Sequence, residues 1–184
     1  MPPITKPILW LTLCLVLWAT SICAQESDEQ RLGSFKALFL YNFTHYIKWS
    51  EPDTSGTFII AVLGESSAYA SLLEIAAKRK VDGLPLRIKT AATVEELMPC
   101  HLLYFTSEHV GELENIKRHM AGKSALLVAD VPGLARLGVG ISFVLQQGKL
   151  KFEISQQALE RAGLKASSQL LKLAILTDEQ DDGG

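Results

Sequence analysis

The chain has 184 residues, 48% of them apolar, with 18 basic and 20 acidic side chains and a net charge of −2. That is about one domain's worth of chain, with enough apolar content for a sizeable core. No basic stripe stands out, which argues against a nucleic-acid partner.

The first two dozen residues read as a targeting segment rather than as fold. Lys6 gives a basic start, Ile8 to Ala19 is an apolar run broken only by Thr12, and Thr20 to Ala24 is rich in small residues. This is the layout of a secretory signal peptide over residues 1–24, with cleavage expected after Ala24 and Ser21 as the second choice. A spanning helix needs roughly 20 apolar residues, more than this run supplies. Removing residues 1–24 takes away Lys6 and no acid, leaving 17 basic and 20 acidic residues, a net of −3. Cys14 and Cys23 leave with it, so Cys100 stands alone without an intrachain disulfide. A half-buried, inert thiol is expected there.

Gln25 to Arg31 reads as a frayed start. Phe35, Leu38, Phe39, Phe43, Tyr46 and Ile47 then recur at helical spacing, and Pro52 is expected to end that helix. Thr57 to Leu63 is a continuous apolar run before Gly64, the habit of a strand covered on both faces. Ser66 or Ser67 is placed to cap a helix carrying Leu72, Leu73, Ile75 and Ala76. A short strand at Leu86–Ile88 and a helical turn at Glu95–Leu97 follow. His101–Phe105 predicts a second buried strand, Val110–Met120 a polar-faced helix, Ser124–Val128 a third strand and Pro132–Leu137 a brief helix.

Further on, Ile141–Leu145 and Leu150–Ile154 flank Gln146-Gln147-Gly148-Lys149 as a hairpin. Ser155 is expected to cap a helix through Arg161, which Gly163 stops. Ser167-Ser168 opens a last helix or extended stretch to Leu176, and the acidic tail 177–184 reads as disordered. The order predicts a three-layer α/β domain over residues 34–176. Its sheet is largely parallel and flanked by helices, with a C-terminal antiparallel hairpin and helix.

No catalytic constellation survives inspection. Gly122-Lys123-Ser124 ends like a P-loop, but Lys117 stands where the first glycine belongs, and a helix precedes where a strand should. Gly64-Glu65-Ser66-Ser67-Ala68 resembles a nucleophile elbow with its last glycine replaced, and a capping serine explains it more simply. The four histidines are too scattered to hold a metal.

The candidate binding residues are polar or aromatic side chains in unusual company. Asn42 falls on the apolar face of the first helix, where its amide serves either a structural hydrogen bond or a partner. Lys48 and Trp49 close that helix, the cation suiting its dipole and the indole acting as core plug or interface anchor. Glu153 sits inside an alternating strand, so it faces opposite Phe152 and Ile154, on a solvated face or at a partner. Arg136, Lys165, Ser167 and Ser168 are candidates for a small anion- or partner-binding cluster with Lys48.

Several stretches carry a resemblance in fixed order. They are Lys36 to Phe43 with Tyr46-Ile47-Lys48-Trp49, Ile59 to Gly64, Cys100 to Phe105, and Gly133 to Arg136. After them come Gly140 to Leu145, Lys151 to Ile154, Ala162-Gly163-Leu164 and Ser167 to Ala174. Together the chain resembles the YfiR/HmsC family. The resemblance implies an α/β fold, no enzymatic step, no cofactor and a periplasmic location. It also implies binding to the periplasmic domain of a membrane diguanylate cyclase, repressing cyclic-di-GMP synthesis and biofilm formation. A histidine kinase is the alternative partner, an outer-membrane lipoprotein a second one, and a homodimer is an open assembly. Some relatives carry cysteine pairs tuned by disulfides; Cys100 has no such mate within the mature chain.

Overall fold

The computed structural model describes residues 28–49 and 56–177. The expected signal peptide, Pro52 and the tail beyond Thr177 lie outside them. The fold is a mixed α/β unit with an eight-stranded, mostly parallel sheet and a separate two-stranded antiparallel sheet.

Helix α1 runs over residues 28–46, so the stretch read as a frayed start is already helical from Asp28. It passes into β1 (Ile47–Trp49). Then come β2 (Phe58–Leu63), α2 (Tyr69–Lys78), β3 (Lys80–Val81) and β4 (Leu84–Ala91). After β5 (Leu102–Phe105), a 3-10 stretch at Ser107–Glu112 leads into α3 (Leu113–Met120). Next are β6 (Leu126–Ala129), a 3-10 turn at Leu134–Leu137, and the hairpin β7 (Ile141–Gln146) and β8 (Lys149–Ile154). The chain finishes with α4 (Gln156–Arg161), β9 (Leu164–Ala166), α5 (Ser168–Leu173) and β10 (Ile175–Leu176).

The large sheet has the order β10-β8-β7-β6-β5-β2-β4-β3, in which β4, β2, β5, β6 and β7 are parallel. Every residue of β5 is buried, as is every residue of β2 except Ile59. This is what a continuous apolar run becomes when both faces are covered. Ile60, Val62, Leu102, Tyr104, Leu126 and Val128 point to one side, against α1, α2 and α5. Ala61, Leu63, Leu103, Phe105 and Ala129 point to the other, against α3 and its flanking turns.

The expected face of α1 is rotated. Ala37, Leu40, Phe43 and Ile47 are buried, whereas Phe35 and Leu38 are 52% and 49% exposed. The apolar residues surround this helix, so its spacing alone cannot choose the core side. The β7–β8 hairpin decides it: Phe43 packs on Phe152 and Phe143 at ring separations of 5.1 and 6.0 Å. The other end of α1 is set by close approach. A Cβ on Gly33 would come within 2.4 Å of the Ser67 carbonyl oxygen.

Two of the expected caps are present. Ser155 Oγ accepts from Ala158 N at 3.1 Å, and Ser167 Oγ from Leu170 N at 3.3 Å. Neither Ser66 nor Ser67 caps α2, whose N-cap position is Ala68. Ser66 Oγ instead accepts from Ala68 N at 3.1 Å, a local turn that competes with capping.

Candidate partner-binding site

The sequence candidates divide into four places. Lys48, Trp49 and Lys165 come together because β1 pairs antiparallel with β9, while Ser167 follows just past that pairing and Ser168 opens α5. Here the sequence reading is corrected: Lys48 and Trp49 do not close the helix but form a strand beyond it. Residues directly opposite in such a pair share a face. Lys48 lies opposite Lys165, so two exposed lysines share one face of the pair. Ser167 N donates to Tyr46 O at 2.8 Å, extending this pairing to the start of α5.

Trp49, opposite Leu164, is half-buried. It meets Phe58 edge-on at 5.2 Å, and Phe58 stacks on the His101 ring at 4.5 Å. His101 Nδ1 accepts from Ile59 N at 2.9 Å, which puts the proton of a neutral ring on Nε2. Trp49 Nε1 is buried and reaches no acceptor among the described residues. The patch is thus a pair of cations beside an indole plugged into the core.

Asn42 is half-buried on α1, not enclosed by the apolar face; the buried polar residue of that helix is Thr44, whose Oγ1 donates to Tyr41 O at 2.7 Å. Glu153 belongs elsewhere. Opposite Ser142, it accepts from Gly133 N at 2.6 Å and ties β8 to the loop before β7. Its alternation predicted a face away from Phe152 and Ile154, but not this loop anchor. Arg136 is exposed and lines a groove between α3 and α4, with none of the other candidates among its lining residues.

Sequence reasoning missed the polar contacts under α1. Lys36 Nζ lies 2.7 Å from Asp130 Oδ1 at the end of β6, with the side chains only 12% and 18% exposed. The contact is ionic rather than a well-aligned hydrogen bond. Close by, the Tyr104 phenol is held above its usual range, first by burial and then by the Asp130 charge. Asp130 follows an apolar strand and Lys36 precedes the aromatic run, but nothing local links them across 94 residues.

The winding changes direction between β2 and β5, since β2 leads to β4 on one side and β5 to β6 on the other. Ligands of open α/β sheets bind at such points. A crevice of about 660 Å³ lies by the end of β2, lined by Gly64, Glu65, Ser66, Glu96, Glu108 and His109 among others. Gly64 has φ +88°, and a Cβ there would meet Thr106 Oγ1 at 2.4 Å. No hydrogen bond joins Ser66 to His109, whose Nδ1 is instead 2.9 Å from Glu112 Oε1. Among the described residues, no three His, Cys, Asp or Glu side chains gather as a metal site. Cys100 is half-buried, and burial pushes its thiol up to about 12.

A family model described as YfiR/HmsC-like matches residues 33–175, from the first turns of α1 to the start of β10. Among solved structures, the ABC domain in complex with L-Trp from Streptococcus pneumonia superimposes with a TM-score of 0.49 and 12% identity. The match covers 67% of this chain and 56% of that one, so the chain spans little more than half the length of that structure.

Proposed function

This chain belongs to the YfiR/HmsC-like family, and on that premise we propose that it is an exported, non-catalytic regulator of a membrane signalling protein. It binds the periplasmic domain of its target, a diguanylate cyclase in the first instance, and represses cyclic-di-GMP synthesis and with it biofilm formation. The observation that carries the reading is the family match over residues 33–175, whose family is regulatory rather than catalytic. The amino-terminal segment supports export.

The β1–β9 patch supplies chemistry suited to such a partner. Lys48 and Lys165 raise the local positive potential and favour an acidic surface opposite. Trp49 offers a rigid aromatic anchor beside them. Repression further requires that the complex prefer the inactive state of the target, because binding both states equally shifts nothing.

The test is co-purification from host membranes with residues 25–184 as bait and mass spectrometry of what is retained. A diguanylate cyclase is the expected capture. A histidine kinase or receptor would replace the cyclase as target, and recovery of nothing specific would overturn the reading. A second reading, a small-molecule sensor acting with a kinase or receptor, draws on the crevice by Gly64. A thermal-shift screen with nucleotides, amino acids and siderophores would test it; no shift with any of them would remove it.

A further inference from the structure

The large sheet ends on β4 and β3, and the two strands are unequal. Strand β4 spans 8 residues, Leu84–Ala91, whereas β3 spans 2, Lys80–Val81. In β4, Leu84 and Pro85 are the residues that pair with β3. Leu86 to Ala91 pair with β2 on the inner side and, among the described residues, with no strand on the outer side. Gly64 N donates to Ala91 O at 3.1 Å, so Ala91 turns its backbone groups inward, toward β2. Successive residues of a strand turn theirs to opposite sides. Arg87 and Lys89 therefore also face β2, and Ile88 and Thr90 present their N–H and C=O groups at the outer edge. Thr90 is exposed and Ile88 half-buried.

An open edge of this kind is a template for another strand. Its charge decides which strand. Residues 78–89 hold five cations, Lys78, Arg79, Lys80, Arg87 and Lys89, against one acid, Asp82. All five are exposed, and none joins an ion pair among the described residues. Pairing of this edge with the same edge of a second copy would set like charges against one another, which is unfavourable. An acidic strand instead brings carboxylates to them. The amino end of β4 also lies close to the β1–β9 patch, because Trp49 meets Phe58 and Phe58 lies opposite Leu86. Two positive surfaces thus neighbour each other in a chain whose net charge is −2.

We propose that the outer edge of β4 receives an extended acidic segment of the membrane partner as an added strand. The backbone of that segment bonds Ile88 and Thr90, and its carboxylates meet Arg87, Lys89 and the run from Lys78 to Lys80. In this mode main-chain bonds supply affinity and the flanking side chains supply selectivity. The source of the segment rests on the regulator reading; the capacity of the edge to take an acidic strand does not.

The test is titration of the purified chain with a capped peptide of Val-Glu repeats, with amide hydrogen exchange resolved to single residues. Without peptide, Ile88 and Thr90 should exchange fast while Arg87, Lys89 and Ala91 are protected. Saturating peptide is expected to slow exchange at Ile88 and Thr90 by at least about tenfold. A peptide of Val-Lys repeats should bind at least about tenfold more weakly, and R87E/K89E should reverse that order. Thr90→Pro removes an outward N–H and spares the bonds to β2, so it should abolish peptide binding with the far-ultraviolet spectrum unchanged. Absence of saturable binding, protection that falls away from β4, or a folded Thr90→Pro chain that binds as well as the parent overturns the proposal. Equal affinity for the two peptides overturns the acidic class. Thr90→Pro should also lose capture of the membrane partner. Equal capture by parent and variant would overturn the edge as that interface and leave the regulator reading standing. Peptide binding with no membrane capture by the parent would keep the strand-accepting edge and remove the regulator reading.

Discussion

The two ends of α1 place lysines in opposite circumstances. At the amino-terminal half, Lys36 is nearly enclosed and neutralised by Asp130, beneath a helix pressed against Ser67. Past the carboxyl end, Lys48 is exposed and faces another lysine, Lys165, across β1–β9. The first arrangement holds an element in place, since an enclosed charge is tolerated only with its partner. The second adds little to stability, because like charges opposite one another in a strand pair are unfavourable. What that arrangement offers is a positive surface for something else to meet. Residue type is the same in both; burial and pairing separate the enclosed, neutralised lysine from the exposed one.

Substitutions at the two ends should therefore differ in kind. Lys36→Ala leaves Asp130 enclosed without its cation and should destabilise the fold by about 3 kcal/mol. Chemical denaturation would show it. Replacing both partners with apolar residues, K36M/D130L, should restore most of the loss; if the double variant is as unstable as the single one, the pairing is not what matters. Gly33→Ala should cost about 1–3 kcal/mol, because the new methyl forces α1 away from the Ser67 backbone. Its thermal midpoint should fall accordingly.

At the other end, K48E/K165E should leave stability within about 0.5 kcal/mol of the parent. Capture of the membrane partner should nevertheless be lost, because an attractive field becomes a repulsive one. Retained capture with undiminished salt sensitivity would remove the patch from the interface. The smallest effect at neutral pH concerns Cys100. Its folded thiol is raised from 9.0 to about 12, so the folded state favours the protonated form. That contribution is fully present below pH 9 and is lost as pH rises from 9 toward 12. Thiol-reactive dye should accordingly label the native chain slowly at pH 8 and the denatured chain quickly.

How much of this was legible beforehand depended on how far apart the deciding atoms are. The capping serines Ser155 and Ser167 each bond a backbone N–H three residues on, and both were readable. The β7–β8 hairpin was readable too, from two apolar runs around Gln146-Gln147-Gly148-Lys149, although Gln146 pairs with Lys149 and the turn itself is only Gln147-Gly148. By contrast, β1 and β9 are three residues each and separated by more than a hundred positions, so neither strand has a signature of its own. Lys48, Lys165 and Ser167 were named from residue type, and the structure places them together. Arg136 was named with them and lines a different groove, because its 3-10 turn packs near α3 and α4.

By itself, the sequence determined whatever depends on the local order of side chains. The continuous apolar runs at 58–63 and 102–105, short and bounded by turn residues, pointed to strands covered on both faces. The helix–strand alternation that follows from them determined a parallel sheet between helical layers. Only the tertiary structure decided which side of α1 is core, that Lys36 meets Asp130, and that Lys48 lies opposite Lys165. Each of these joins residues far apart in the chain, and a distant pair is chosen by the packing of the layers between them, to which no local pattern has access.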